Sequence, residues 1–384
     1  MPESHDLKLD KIKLSINDII LDPNNPRFSK HPDDLTLEEN LCDEDVQEET
    51  FRKMIDTKSF DVFEIEESIK TKGYIPVDNI FVRKVNEKYV TVEGNRRLSA
   101  IKNLLLKNEK GGQLVLPKEI LDSFETLEVF DLTENDQSDI DFILGLRHVG
   151  SIKQWGLLPS SYNIFKTYMR EYCNENGGDP HDPILFNYDP SIAKIVKKLY
   201  SVTLAEIRDK IKSYRAYFQV SEELISRGYE GGFPEEKYSI LFDTIKNLSL
   251  RTFFQFHDNS SVFDEEGLEL FINLIFGDNE SSPVIKSAAA GDSNLRDFAY
   301  VIKEGNQNFI DDIVENRYKP SEVKALIVAE RTKKSLLKSL ETAFNEMSKI
   351  EIGEISEIGH SEDEMLTKII EIVGRIKRAS NRDG

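Results

Sequence analysis

The sequence predicts an α+β fold: a small mixed-sheet unit first, then a helix-turn-helix, then a mostly α-helical remainder. Three observations predict it. Strand signals gather before residue 135 and become scarce from Leu158 onward. Ile80-Phe81-Val82 and Tyr89-Val90-Thr91-Val92 read as two strands joined at Asn86-Glu87, a hairpin pattern. Directly after it, Leu98, Ile101, Leu104 and Leu105 recur at helical spacing, so a strand hands over to a helix at Gly94.

The elements follow in order. Residues 13–28 predict a short strand and an Asn/Pro-rich turn. From Asp33 to Glu67 fourteen Asp or Glu face only Arg52, Lys53 and Lys58, which reads as a solvated loop or mobile segment. Ile65 and Ile69 belong to a short helix ending at Gly73, a residue suited to a left-handed C-terminal position. A further strand at Leu127–Leu132 precedes a helix through Ile140, Ile143, Leu144 and Arg147. Breaks at 174–190, 228–234 and 277–293 divide the helical part. Four domains are expected on this basis: 10–150, 151–235, 236–324 and a C-terminal helical segment 325–384. Leu336, Leu337, Leu340, Phe344 and Met347 in the last have coiled-coil-like spacing, compatible with a homodimer or with packing inside one chain.

Composition narrows the function classes. A net charge of −20 opposes sequence-independent coating of DNA, because affinity for the phosphate backbone comes from Lys and Arg. Apolar runs are far shorter than the roughly 20 residues a membrane span needs, and the first residues resemble no signal peptide. Cys42 and Cys173 lie far apart and the six histidines are scattered, which suggests neither disulfide framework nor zinc cluster. A reducing cytoplasm is the expected home.

Chemistry concentrates in Val92-Glu93-Gly94-Asn95-Arg96-Arg97-Leu98-Ser99-Ala100. Glycine permits a backbone conformation closed to other residues. The unpaired amides of a helix start favour an anion, and arginine forks match phosphate oxygens. The stretch therefore reads as a polyphosphate cradle or, equally, as a surface turn with solvated arginines. Arg147-His148 closes its own helix, where a basic pair suits the helix dipole with or without a ligand. Trp155 reads as a packing anchor.

Four segments, taken together, resemble the N-terminal domain of the ParB/sulfiredoxin superfamily over about residues 15–110: Asn25-Pro26-Arg27, Ile65-Glu66-Glu67-Ser68-Ile69, Gly73-Tyr74-Ile75-Pro76-Val77 and Glu93 to Ala100. The resemblance implies a nucleoside triphosphate, CTP or ATP with Mg2+, on Gly94, Asn95, Arg96 and Arg97, with Arg27, Gly73 and Pro76 beside the nucleoside. Two features depart from the family. Asn95 stands where a glutamate is usual, and the second phosphate motif is absent from its helix, leaving Arg147 and His148 as the polar groups there. Glu134-Asn135-Asp136-Gln137 looks similar to that motif but comes too early.

Downstream, Asp189-Pro190 and Thr203-Leu204-Ala205-Glu206 are helix starts flanking a short turn, as in a helix-turn-helix. Residues 191–219 hold seven basic and two acidic side chains, a net +5. Lys194, Lys197, Lys198, Arg208, Lys212 and Arg215 are the expected DNA contacts, the last three along one side of the second helix. The alternative is a helical hairpin with a solvated basic face. ParB-like proteins carry such a unit at this place, so the resemblance implies nucleotide-regulated DNA binding; a mobile-element or phage-defence system is one setting for it. A nuclease or NTP-dependent phosphotransferase on the same scaffold is the second reading, with Glu93 or Asp22 as base or metal ligand. A scaffold recruiting a partner protein is the third.

Overall fold

The computed structural model describes residues 7–27, 34–75, 79–109, 114–148, 155–182, 186–200, 202–277, 282–304, 307–349, 364–365, 367–371 and 373–374. Contacts divide the chain into two compact units, Met1–Pro320 and Ser321–Gly384. The expected boundaries at 150 and 235 thus fall inside one unit.

The first unit begins as an α+β structure. β1 (Asp10–Ser15) and β2 (Ile19–Ile20) precede α1 (Glu44–Asp56) and α2 (Val62–Lys72), followed by the hairpin β3 (Ile80–Val85) and β4 (Lys88–Glu93). Asn86 turns the hairpin at φ +54°. Next come α3 (Asn95–Glu109), α4 (Lys118–Glu125), β5 (Thr126–Asp131) and α5 (Gln137–His148). The sheet is mixed, in the order β1-β5-β3-β4-β2, with β1–β5 and β3–β4 antiparallel and β3–β5 and β2–β4 parallel. One face buries Ile80, Val82, Leu127 and Val129 against Met54, Ile69, Leu98 and Ile101. On the other, Phe81 stacks on Phe130 with ring centroids 5.4 Å apart.

The acidic stretch expected to be a loop contains α1. Glu44 and Asp45 occupy its first turn, where the helix dipole favours anions. Thr50, Phe51, Met54 and Ile55 form the stripe that packs inward. Gln47 fastens the helix to β2: its Oε1 accepts from Leu21 N at 2.9 Å and its Nε2 donates to Leu21 O at 2.9 Å.

The helical part of this unit comprises α6 (Leu157–Asn176), α7 (Pro190–Leu199), α8 (Leu204–Ser226), α9 (Tyr238–Lys246) and α10 (Leu248–Phe253). A small hairpin that the sequence reading did not anticipate follows, β6 (Phe256–His257) and β7 (Val262–Phe263), then α11 (Glu265–Phe276), α12 (Leu295–Glu304) and α13 (Gln307–Val314). Both expected helix starts are capped: Asp189 accepts from Ser191 N at 2.7 Å and Thr203 from Glu206 N at 3.1 Å. The second helix is not short, however. α8 spans 23 residues and buries most of its length, including Ile207, Ile211, Tyr214 and Val220, so it is a core helix. α5 joins this part closely, since a side chain at Gly145 would meet Leu199 O at 2.4 Å. Trp155 is buried, as an anchor should be.

The second unit continues the helix α14 (Pro320–Met347), on which Leu336, Leu337 and Phe344 are exposed, and adds helical residues between 364 and 374. Among the described residues no helix is long and apolar enough to cross a membrane.

Candidate functional site

The corner between β4 and α3 is built by one glycine and one irregular pairing. Gly94 has φ +119°, and a Cβ there would stand 2.9 Å from Ile80 Cγ1, so no other residue fits. Its carbonyl accepts from Leu98 N at 2.9 Å and opens α3, leaving the first amides outside the intrahelical ladder. Phe81 pairs with Glu93 but Val82 pairs with Thr91, so Val92 is an additional residue in β4. Such a bulge re-aims the side chains beside it.

Four arginines converge here. Arg96 donates to Asp61 O at 3.3 Å and lies 3.9 Å from Asp61 Oδ2. Arg97 donates to Asn79 O at 3.0 Å and lies 3.9 Å from Glu93 Oε1. Arg147 reaches Glu93 Oε1 at 3.8 Å from the far side, its guanidinium 5.5 Å above the centre of the Phe81 ring. Arg27 completes the set. Burial holds its guanidinium below the usual value, and the neighbouring Arg96 adds to that effect. Burial does the same at Arg96, whose Nε has no hydrogen-bond partner among the described residues. Four cations thus act on three carboxylates, Asp61, Glu64 and Glu93, with Arg96, Arg97 and Arg147 at 3.8–3.9 Å from Asp61 or Glu93. The side chains of Arg96 and Arg97 are 16% and 17% exposed, so the corner is neither sealed nor loose in solvent. A low-polarity pocket with surplus positive charge is suited to an anion.

The remaining expected residues are placed as follows. Asn95 is buried and its amide is committed to the backbone of Asp22, accepting from N and donating to O, both at 3.0 Å. It holds the β2 exit against α3. Glu93 stands between Arg97 and Arg147, the position of a counter-ion. Burial pushes the Asp22 carboxyl up while Asn24 N donates to it at 2.9 Å. Gly73 closes α2 at φ +72° against Ser123 of α4. Pro76 and the His148 side chain lie outside the described residues. Glu134 and Asn135 are tied to Lys8, whereas Gln137 donates to Asp141 at 3.0 Å. Among the described residues no cluster of three or more His, Cys, Asp or Glu could hold a metal ion.

A cavity of about 450 Å³ is lined by Asp22, Pro26, Arg83, Val92, Leu144, Asn163 and Lys166 among others. This is within the size range of small-molecule sites. Pro26 and Val92 of its lining precede Arg27 and Glu93 in sequence, and Leu144 lies about one helical turn before Arg147.

The basic surface is smaller than the sequence suggested. Lys194, Lys197 and Lys198 are exposed at i, i+3 and i+4 on α7, and Arg208 is exposed beside Asp209. Lys212 is buried, 2.8 Å from Asp258 and 4.7 Å from the centre of the Tyr188 ring. Arg215 is half-buried over Phe218, its guanidinium held below the usual value by burial. Arg208, Lys212 and Arg215 therefore do not share an exposed edge, because that side of α8 packs into the core.

Sequence reasoning missed Asp141, Asn163, Thr167 and Arg170. The signal was present: Ser160, Asn163, Thr167 and Arg170 form a polar line at helical spacing along α6, three of them buried.

No family model matches the chain, and no curated protein matches it. Two solved structures resemble it. The C2221 form of a Pnob8-like ParB-N domain is 13% identical, with a TM-score of 0.34 over 69% of this chain and 94% of that one. The C-terminally truncated chromosome-partitioning protein ParB from Caulobacter crescentus, complexed with CTP-γ-S, is also 13% identical, with a TM-score of 0.21 over 62% and 93%. At this identity and these TM-scores neither likeness assigns a residue.

Proposed function

We propose that this chain is a ParB-like nucleotide-regulated DNA-binding protein whose corner at Gly94 seats the phosphates of a nucleoside triphosphate. The observation that carries the reading is the convergence of Arg27, Arg96, Arg97 and Arg147 on a glycine-opened helix start. Arg96 and Arg97 supply forked donors, the α3 amides add their dipoles, and Asn95 positions the corner through Asp22. CTP and ATP both fit this reading. Mg2+ would come with the phosphates, which need at most one or two protein carboxylates beside them. DNA would meet the exposed face of Lys194, Lys197, Lys198 and Arg208.

Glu93 is read as a counter-ion that keeps Arg97 and Arg147 in place, so neither nuclease nor phosphotransferase chemistry is assigned to it. Titration calorimetry of the full chain with tripolyphosphate, CTP and ATP tests the site. The Arg96→Ala/Arg97→Ala variant is expected to lose at least roughly tenfold in affinity for all three, as two charge-assisted contacts are removed. Unchanged affinity in a folded double variant refutes the assignment.

A further inference from the structure

We infer that Asn163 Oδ1 is a selectivity acceptor, which admits to the cavity the end of a ligand that carries an amine and turns away the same ligand with a carbonyl there. The inference rests on the nucleotide reading, and deepens it by naming the class of base.

Asp141 is fully buried and its carboxylate meets Arg170 at 2.5 Å. A carboxylate and a carbonyl only accept, so Thr167 Oγ1, 3.0 Å from both Asp141 Oδ2 and Asn163 O, spends its one proton on that pair. Thr167 Oγ1 is then an acceptor toward Tyr200 Oη at 2.8 Å, and Tyr200 must donate. Burial, with Asp141 nearby, pushes the Tyr200 hydroxyl well above its usual range, so that proton stays in place. Tyr200 Oη is left to accept, and Asn163 Nδ2 donates to it at 2.8 Å. The chain of directions fixes which way the Asn163 amide faces, an assignment that the shape of the side chain alone does not make. Its Oδ1 is turned away from Tyr200 and has no hydrogen-bond partner among the described residues.

Asn163 is 0% exposed and lines the cavity. A buried acceptor without a partner is costly, and a ligand donor relieves that cost. Val92 and Leu144 line the same cavity, while Glu93, next after Val92, and Arg147, about one helical turn after Leu144, belong to the arginine cluster. A ligand that runs from the arginines into this cavity would set its other end against Asn163. An exocyclic amine there meets Oδ1 as a donor, whereas a carbonyl sets acceptor against acceptor. Lys166, which also lines the cavity, adds a donor for a ring nitrogen or carbonyl.

The test uses two pairs that exchange an exocyclic amine for a carbonyl and, with it, an acceptor ring nitrogen for an N–H: CTP with UTP, and ATP with ITP, plus tripolyphosphate as a probe of the arginines alone. Calorimetry on the full chain is expected to show the amine-bearing member of at least one pair binding roughly tenfold or more tighter. Asn163→Ala should erase that ratio with tripolyphosphate affinity unchanged. Tyr200→Phe, which keeps the ring and removes the group that orients the amide, should also erase it. Equal affinities within both pairs, with tripolyphosphate still bound, overturn the inference and leave the nucleotide site standing. A ratio that survives Asn163→Ala overturns it as well. Loss of tripolyphosphate and nucleotide binding altogether in the unaltered chain overturns both.

Discussion

Asn95 and Asp22 are joined by two hydrogen bonds of 3.0 Å, amide oxygen to backbone N–H and amide nitrogen to backbone carbonyl. The pair is a backbone-like ladder rung made by a side chain. It fixes the end of β2 to the first residue of α3, and so fixes Arg27 relative to Arg96. Asn95→Ala leaves two backbone groups of Asp22 without partners and is expected to cost about 1–3 kcal/mol. Denaturant unfolding reads that cost. Affinity for tripolyphosphate should fall with it, because the arginines lose a shared frame. A variant as stable as the parent shows that the rung holds nothing in place.

Gly94 and Gly177 both have positive φ, but only Gly94 faces a wall. A Cβ at Gly94 meets Ile80 at 2.9 Å, while at Gly177 it meets nothing within 4 Å. Gly177→Ala therefore carries only the backbone penalty, about 1 kcal/mol. Gly94→Ala carries that penalty and a clash, and should be worse by about 1–3 kcal/mol. Thermal melts of the two variants side by side decide it; equal losses mean that the Ile80 contact yields without strain.

What the sequence disclosed was local. The hairpin 80–92 and the helix after Gly94 were legible because alternation, a turn residue and 3.6-residue periodicity coincide within 25 positions or so. α1 was not, since its acidic surface outnumbers the Phe51–Met54–Ile55 stripe that makes it a helix. The basic residues of α8 misled for a different reason. Burial of Lys212 depends on Asp258, 46 residues further along, and on a core that composition does not reveal. The arginine corner was read from its residues, but its cavity was not, because Asn163 and Lys166 arrive from α6 by a tertiary contact.

The difference between Lys212 and the α7 lysines can be measured. Reversing Lys194, Lys197 and Lys198 to Glu should weaken DNA binding and reduce the salt dependence of log affinity by roughly 0.9 for each phosphate no longer neutralised. Lys212→Met should leave that slope alone and cost about 1–3 kcal/mol of stability, since it removes a buried ion pair with a half-exposed partner. Fluorescence anisotropy across a salt series separates the two. A DNA slope that drops for Lys212→Met but not for the triple variant would return the reading surface to α8.

Lys102 gives the fold a pH signature of its own. Its ammonium on α3 donates to Ile19 O at 2.8 Å, and burial, with some help from Lys88, pulls its pKa down to about 8. The unfolded chain keeps that proton to about pH 10.4. Between those values the unfolded state binds more protons than the folded one, so stability rises with pH across this window. Below pH 8 both states hold the proton and the folded state bears the full burden of a buried charge. Lys102→Met removes the titrating group while keeping most of the side-chain volume. Relative to that variant, the parent is expected to gain roughly 1–3 kcal/mol between pH 8 and 10, less where solvent reaches the amine. Chemical denaturation at pH 7, 8, 9 and 10 measures the difference. A constant gap across the series shows that the Lys102 amine titrates alike in both states, and that its bond to Ile19 is made at no cost in solvation.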